Sequence, residues 1–150
     1  MLDKLDAREA IATYIQAWER QEPDLIVTVF TPDATYHERV MGDPMVGRKA
    51  IRQYWVDKVV NGQANIRCDL LSLYVDGDTA IAEWLAEFDD VAQGVRKQMK
   101  EIAVLEFDGR QIASLREYWA SKTLPVRERG NTAAEDWGLA LAGDHTEVRE

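Results

Sequence analysis

The chain has 150 residues, with 18 Lys and Arg against 27 Asp and Glu, which gives a formal net charge of −9. This length is typical of a single domain. The acidic balance excludes non-specific binding to nucleic acid and to anionic membrane surfaces, because both need clustered Lys and Arg. The sequence has neither an apolar run of the ~20 residues that span a membrane nor a recognisable leader, so we expect a cytoplasmic protein.

The first half of the chain predicts three helices and one short strand. Apolar residues at i, i+3, i+4 and i+7 mark the inward face of the first helix. A proline at a tolerated first position opens the second helix, and Thr-Pro and Asn-Gly pairs end the second and third. We therefore predict a first helix from about Asp6, a second from Pro23, a strand over 34–39 and a third helix over 48–60.

The second half predicts an antiparallel meander of four strands. The Asp-Gly pairs at 76–77 and 108–109 are hairpin turns, and a looser connection surrounds Gly94. Helices followed by strands predict an α+β domain over residues 1–125, with the helices packed on one face of a curved sheet. Residues 126–150 have mixed charge and little periodicity, which predicts a tail that is mobile or docked on a partner subunit.

Several chemistries have no support in the sequence. It contains no Gly-rich phosphate loop, no dinucleotide fingerprint and no nucleophilic Ser elbow. The two histidines, His37 and His145, and the lone Cys68 do not form a cluster with metal-ligand spacing. We expect no metal and no cofactor, so that any catalysis would use carboxylates, tyrosine or His37 as acids and bases.

Motifs in both halves of the chain carry a family resemblance. They are Phe-Thr-Pro-Asp-Ala-Thr-Tyr at 30–36, Ala-Ile-Arg-Gln-Tyr-Trp at 50–55, Glu-Phe-Asp-Gly-Arg-Gln-Ile at 106–112 and Arg-Glu-Tyr-Trp at 116–119. In these runs the chain resembles the nuclear transport factor two-like superfamily, and within it the SnoaL-like and ketosteroid isomerase branch. The resemblance implies a cone, in which three N-terminal helices close over a strongly curved, mainly antiparallel sheet around a mostly apolar pocket.

The resemblance to ketosteroid isomerases implies roles for individual residues. Tyr14 falls on the tyrosine of their first helix, and Glu38 falls on their general base. Ala103 stands where those enzymes have a protonated Asp, so half of their oxyanion donor pair is missing here. Trp55 replaces a further tyrosine that supports the first one.

Limonene epoxide hydrolases resemble the chain near its last strand. Their carboxylate on that strand falls on Glu117. The Arg and Asp that complete their site would fall near Trp84 and Ala86, so this second catalytic set is also incomplete.

Strand alternation independently indicates which residues face a pocket. If Ala103 faces inward, so does Glu101, and if Trp119 faces inward, so does Glu117. His37 belongs to the face opposite Glu38 unless a bulge brings it in, which makes it a secondary candidate. The candidate catalytic residues are therefore Tyr14, Glu38, Glu117 and His37, and the candidate substrate-binding residues are Trp18, Trp55, Trp84, Glu101 and Trp119.

Two hypotheses about function stay open. The first is an acid–base enzyme of the isomerase, dehydratase or hydrolase type, acting on a small, mostly apolar molecule. Glu117 or Glu38 would be its base, and Tyr14 would donate a hydrogen bond to developing oxygen charge. The second is a non-catalytic ligand-binding or dimerising domain of the same fold. In either case we expect a homodimer, because Ile102 and Val104 place apolar side chains on the outer face of the sheet.

Overall fold

The computed structural model describes residues 1–125, which form three α-helices and six strands. The helices are α1 (Lys4–Arg20), α2 (Pro23–Ile26) and α3 (Arg48–Trp55); a 3-10 turn (Val27–Val29) extends α2 and a π-helical turn (Val56–Val60) extends α3. The strands are β1 (Phe30–His37), β2 (Met45–Val46), β3 (Gln63–Asp76), β4 (Thr79–Asp90), β5 (Val95–Asp108) and β6 (Gln111–Thr123). The predicted tail, residues 126–150, lies outside the described residues. None of the helices in residues 1–125 has both the length and the apolar character needed to cross a membrane.

The six strands form one curved, mixed sheet in the order β2-β1-β6-β5-β4-β3. Strands β3 to β6 are the predicted antiparallel meander, and its two Asp-Gly turns place Gly77 and Gly109 at a positive φ of 63°. The sequence did not predict that β1 would join this meander by running parallel to β6. The class is α+β as expected, but β1 and β2 separate α3 from the first two helices along the chain.

The first strand begins earlier than predicted, at Phe30 instead of Ala34, and it ends at His37. Its pairing with β6 passes from Phe30 opposite Ile112 to Thr35 opposite Ser114, so β1 holds extra residues in this interval. Pro32 lies within the irregular stretch, where a residue without a backbone N–H costs no ladder hydrogen bond. The predicted start of the strand after the Thr-Pro pair was therefore wrong, whereas helix α2 does end before this pair, as predicted.

Helix α1 also begins earlier than the predicted Asp6. Asp3 is its N-cap, and the Asp3 carboxylate accepts a hydrogen bond from the Leu5 backbone N–H at 2.8 Å. Asp6 lies in the first turn, where a negative charge stabilises the positive end of the helix dipole.

The core lies between the helices and one face of the sheet, which we call the inner face. Tyr14 on α1 is at its centre, stacked on Trp84 of β4 at 5.2 Å between ring centroids and meeting Trp55 of α3 edge-on at 5.4 Å. Such ring pairs add about 0.5–1.5 kcal/mol each beyond the burial of their area. The aromatic cluster therefore joins α1, α3 and the sheet, and it fixes the position of the Tyr14 hydroxyl.

The predicted strand parity is confirmed on β5 and β6. Glu101, Ala103 and Leu105 are all buried on the inner face of β5, and Leu115 and Glu117 are buried on β6.

Candidate active site

A cavity of about 200 Å³ lies between the helices and the inner face of the sheet. An engineered protein cavity of about 150 Å³ holds one benzene molecule, so this one has room for a substituted ring. Much of its wall is apolar and comes from both layers of the fold: Trp18, Trp55, Val59, Phe88, Met99 and Trp119. The rest of the lining is polar and includes seven acidic and basic side chains, so the wall combines apolar surface with ionisable groups.

Two tyrosine hydroxyls and a carboxyl group form a hydrogen-bonded triangle in this cavity. The hydroxyls of Tyr14 and Tyr36 are 2.8 Å apart, and each donates to Oε2 of Glu117 at 3.0 Å. All three residues are buried, with 2%, 2% and 7% of their surface exposed. Glu117 is therefore held in one orientation by two neutral donors.

Three separate elements bring this triangle together. The buried face of α1 supplies Tyr14, and β1 supplies Tyr36. The parallel pairing of β1 with β6 puts Tyr36 opposite Leu115, two residues before Glu117 on the same face. The triangle thus depends on the long-range β1–β6 contact and not on any local motif.

A second carboxyl group, that of Glu101, is the diagonal neighbour of Glu117. In the β5–β6 register Glu101 faces Trp119 and Ala103 faces Glu117, so the two glutamates share the inner face at diagonal positions. Glu101 is only 3% exposed. Its Oε2 atom is buried without a hydrogen-bond partner among residues 1–125. A buried, unpaired carboxylate oxygen is costly, which favours the neutral acid.

The surroundings raise the pKa of both carboxyl groups. Burial raises the pKa of Glu117 to about 7, while its interactions with Glu101, Tyr36 and Tyr14 limit the rise. Burial, followed by the charge of Glu117, raises the pKa of Glu101 well above its ordinary value. Burial also raises the pKa of both tyrosines, so their hydroxyls stay protonated. Near neutral pH the pair therefore combines a neutral acid with a partly ionised base.

Glu38 lines the same cavity but does not join the triangle. Its side chain is 21% exposed, and its Oε2 lies 3.5 Å from Nε of Arg39. The Glu38 backbone oxygen accepts a hydrogen bond from Trp119 Nε1 at 3.1 Å. Tyr14, Glu38 and Glu117 thus converge on one cavity, with only Tyr14 and Glu117 in direct contact.

The sequence-predicted residues differ in how they relate to the cavity. Trp18, Trp55, Glu101 and Trp119 line it as expected, whereas Trp84 and His37 are not part of its wall. Trp84 is completely buried behind the ring of Tyr14, where it supports that tyrosine and cannot touch a ligand. His37 follows Tyr36 on β1, and successive side chains of a strand point to opposite faces.

Sequence reasoning missed two tyrosines of the site, Tyr36 and Tyr54. Tyr36 has the same strand parity as Glu38, which would have placed both on the pocket side. Tyr54 lines the cavity beside Tyr36, at 5.5 Å between ring centroids. The helical periodicity pointed Tyr54 inward, but nothing local distinguished a pocket tyrosine from a core tyrosine.

Other reactive groups do not compete with the carboxyl pair. Burial raises the pKa of the Cys68 thiol far above its ordinary value, so it is not a thiolate nucleophile. Within residues 1–125, no three His, Cys, Asp or Glu side chains are grouped so that they could hold a metal ion. The groups of the cavity wall that can exchange a proton include its carboxyl groups and tyrosine hydroxyls.

The fold and this site agree with a family match. The SnoaL-like domain model matches residues 11–115, and the chain therefore belongs to the SnoaL-like domain family. This family lies in the ketosteroid isomerase-like branch of the nuclear transport factor two-like superfamily.

Three known proteins are similar to most of the chain. The steroid Δ-isomerase of Nocardioides simplex is 27% identical over 121 residues, which are 81% of this chain and 95% of that enzyme. The structure of SalBIII, an epoxide hydrolase/cyclase-like enzyme of pyran ring formation in the polyether salinomycin, is 26% identical with a TM-score of 0.69, over 79% of this chain and 94% of the other. A protein of Catenulispora acidiphila with a ketosteroid isomerase-like fold has been solved in complex with trimethylamine. It is 22% identical with a TM-score of 0.66, over 73% of this chain and 84% of the other, and this similarity shows the fold alone.

Proposed function

We propose that the chain is an acid–base enzyme that moves protons on a small, mostly apolar molecule, with Glu117 as general base and Glu101 as general acid. One observation carries the proposal: two buried carboxyl groups with raised pKa values lie side by side in the wall of a cavity that is also lined by large apolar side chains. When the surroundings of two titratable groups push their pKa values apart, the two groups can be assigned as the acid and the base of a catalytic site.

Glu117 suits the base better than Glu38 does. A general base works best when its pKa is near the operating pH, and the pKa of Glu117 is about 7. Hydrogen bonds from Tyr14 and Tyr36 orient its carboxylate. Glu38 is more exposed, and its carboxylate lies beside the Arg39 guanidinium instead of in the triangle.

Glu101 supplies the proton that a developing oxygen charge needs. In this proposal its neutral carboxyl group takes the place of the acid that the family resemblance would put at position 103, where this chain has alanine. As Glu117 takes a proton from the substrate, Glu101 gives one to the substrate oxygen, so no net charge builds up in the cavity. In the cone that the resemblance implies, this exchange would happen at the closed end, by which we mean the part of the cavity around the buried Glu101 and Glu117.

The reaction class is isomerisation or epoxide opening. Both reactions remove a proton at one atom while a nearby oxygen gains one, as the base and the acid require. The steroid Δ-isomerase and the epoxide hydrolase/cyclase-like enzyme to which the chain is similar support these two classes. In a dehydration, Glu117 would take the proton from the carbon next to the one that carries the leaving hydroxyl, and Glu101 would protonate that hydroxyl, which leaves as water.

The test follows two reactions in D₂O by proton NMR: exchange of carbon-bound hydrogen for isomerisation, and loss of the epoxide signals for ring opening. A cyclic β,γ-unsaturated ketone and a hydroxy-epoxide serve as probes of the two reactions. We expect the wild type to accelerate at least one, and Glu117→Gln to lose about 10²-fold or more of that acceleration. The matched control is Glu106→Gln, a half-exposed glutamate on β5 that pairs with Arg116. Equal rates in wild type and Glu117→Gln, for a probe that the wild type turns over, would contradict the proposal.

A non-catalytic binding domain is the second candidate. It is favoured by Ala103, Trp84 and Ala86, which leave two known catalytic sets of the superfamily incomplete. On this alternative, apolar ligands bind the cavity and stabilise the protein against heat, but neither probe exchanges or reacts faster than in buffer.

A further inference from the structure

We propose that the ligand of this cavity carries one carboxylate, which Arg39, Lys58 and Lys97 receive at the cavity entrance while its neutral end reaches the carboxyl pair. The inference deepens the proposed function, since it rests on Glu101 and Glu117 as the reactive end. It adds the class of substrate: an apolar acid, and not an uncharged hydrocarbon-like molecule.

The entrance differs in charge from the rest of this acidic chain. The lining residues that are more exposed than Glu101 and Glu117 include the three cations and the carboxylates of Glu38 and Asp90, and we call this part of the cavity its entrance. Within the described part of the chain, no carboxylate lies within ion-pair distance of Lys58, which is exposed. The entrance therefore has an excess of one positive charge on a protein of net charge −9, which is what a monoanion requires.

Two of the three cations, Arg39 and Lys97, lie near a carboxylate but can still donate hydrogen bonds to a ligand. Lys97 Nζ is 3.7 Å from Asp90 Oδ2, and Arg39 Nε is 3.5 Å from Glu38 Oε2. Both distances exceed the 2.7–3.2 Å range typical of N–H···O hydrogen bonds, so these donors are free to turn to a ligand. The Lys97 side chain is only 13% exposed, and its charge is therefore less screened by water than that of a surface lysine.

Strand β5 sets the distance between the two ends of the ligand. Alternate residues on its inner face are Lys97, Met99 and Glu101, and all three line the cavity. At the rise of an antiparallel strand, Lys97 and Glu101 are roughly 13 Å apart along β5. The strand thus presents a cation, an apolar side chain and an acid in sequence, which complements a carboxylate, an apolar spacer and a neutral oxygen.

Arg39 is held at the entrance by an aromatic neighbour. Its guanidinium lies 5.1 Å from the centre of the Trp119 ring, and Trp119 is itself anchored to the backbone of Glu38. A stacked guanidinium loses little further freedom when it binds a carboxylate through two parallel hydrogen bonds.

Repulsion at the closed end fixes the direction of binding. An anion beside ionised Glu117 would meet a like charge at low local dielectric, where Coulomb repulsion is strong. The same ligand turned round meets the positive entrance instead. The carboxylate thus orients the neutral end toward the acid and the base.

The experiment compares two probes that differ only in charge, 4-phenylbutanoate and 4-phenylbutanamide, by titration calorimetry. We expect the wild type to bind the carboxylate about fivefold more tightly, which corresponds to about 1 kcal/mol. Lys97→Gln should abolish this preference and the exposed Lys58→Gln should reduce it, each with an unchanged melting temperature. The matched control, Lys100→Gln, removes an exposed cation of β5 that pairs with Glu83, and should leave the preference intact.

Equal affinity of the wild type for the two probes overturns the inference, and so does a loss of preference in Lys100→Gln as large as in Lys97→Gln. Failure of both probes to bind at millimolar concentration overturns it as well. The outcome is separable from the proposed function. Glu117-dependent exchange without a carboxylate preference contradicts only this inference, and a carboxylate preference without such exchange contradicts only the acid–base proposal.

Discussion

The hydrogen-bonded triangle has three contacts, which join Tyr14, Tyr36 and Glu117 in pairs. When Glu117 is ionised, only the two hydroxyl protons are available to form hydrogen bonds at these three contacts. Both protons then serve the carboxylate, which stabilises its charge in spite of burial. When Glu117 is neutral, its own proton supplies the third contact. The triangle therefore accommodates either state. Together with the hydrogen bond to Glu101, the two hydroxyls keep the pKa of this enclosed carboxyl group at about 7 and not far above it.

Replacing Glu117 by glutamine should stabilise the folded protein at neutral pH. The pKa of Glu117 rises from an ordinary 4.5 to about 7 on folding. Glu117 therefore costs no stability below pH 4.5, destabilises the fold increasingly from pH 4.5 to 7, and has its full cost above pH 7. The full cost is about 3 kcal/mol at ~1.4 kcal/mol per pH unit, before any hydrogen bonds that glutamine loses. Urea unfolding at pH 4 and pH 8 should show a gain in Glu117→Gln only at pH 8. An equal or larger gain at pH 4 would show that charge is not the cause.

Replacing Tyr36 by phenylalanine should raise the pKa of Glu117 further. The Tyr36 hydroxyl donates to the carboxylate at 3.0 Å and thereby lowers that pKa. Stability measured from pH 4 to pH 9 should then keep falling to a higher pH than in the wild type, and the fall should vanish in the double variant with Glu117→Gln. Tyr54→Phe is the control, because Tyr54 lines the cavity without donating to Glu117. A downward shift in Tyr36→Phe would refute the role given to this hydroxyl.

At the scale of elements, local patterns predicted the meander and non-local pairing decided the site. Asp-Gly turns and alternation were enough for β3 to β6, because each hairpin depends on neighbouring residues. The contact of Tyr36 with Glu117 could not be predicted, because Glu117 on β6 is some 80 positions further along the chain. The extra residues of β1 around Pro32 also prevent the register of β1 against β6 from being counted from the sequence. Glu101 was placed on the inner face correctly, but its contact with Glu117 follows from the register of β5 and β6.

The π-helical turn after α3 should be sensitive to one methyl group. A Cβ on Gly62 would lie 2.5 Å from the Lys58 backbone oxygen, so Gly62→Ala must displace the turn that carries Lys58 and Val59 to the cavity. We expect a loss of about 1–3 kcal/mol in unfolding free energy, together with weaker binding of cavity ligands. The control Gly42→Ala meets only an ordinary contact of 3.6 Å. Similar stability of both variants would contradict this account of the turn.

At the scale of the whole molecule the chain is acidic, and within residues 1–125 two areas differ from this: the positive cavity entrance and an apolar area on the outer face of the sheet. In that area Ile102 and Tyr118 are opposite each other in the β5–β6 register and 38% and 45% exposed, and Ile81 pairs with Val104 next to them. Exposed apolar patches on a sheet are typical of association surfaces.

We predict that two copies of the chain associate through this outer face. Ile102→Glu would place a charge at the centre of the contact and should give a monomer by light scattering at micromolar concentration, whereas the wild type gives a dimer. Val91→Glu introduces the same charge at an exposed apolar residue in the β4–β5 turn and should remain dimeric. A monomeric wild type under these conditions would rule out the interface.

The central claim is that a buried Glu117, paired with Glu101, is the base of this site, and carboxyl titration tests it most directly. Carbon NMR on protein labelled at the glutamate side-chain carboxyls follows every group from pH 3 to pH 9, and Glu117→Gln identifies the resonance that disappears. We predict that this resonance titrates with an apparent pKa of about 7, and that Glu106→Gln leaves it in place. Titration of the Glu117 resonance near the ordinary glutamate value of about 4.3 would contradict the account and transfer the role of base to Glu38.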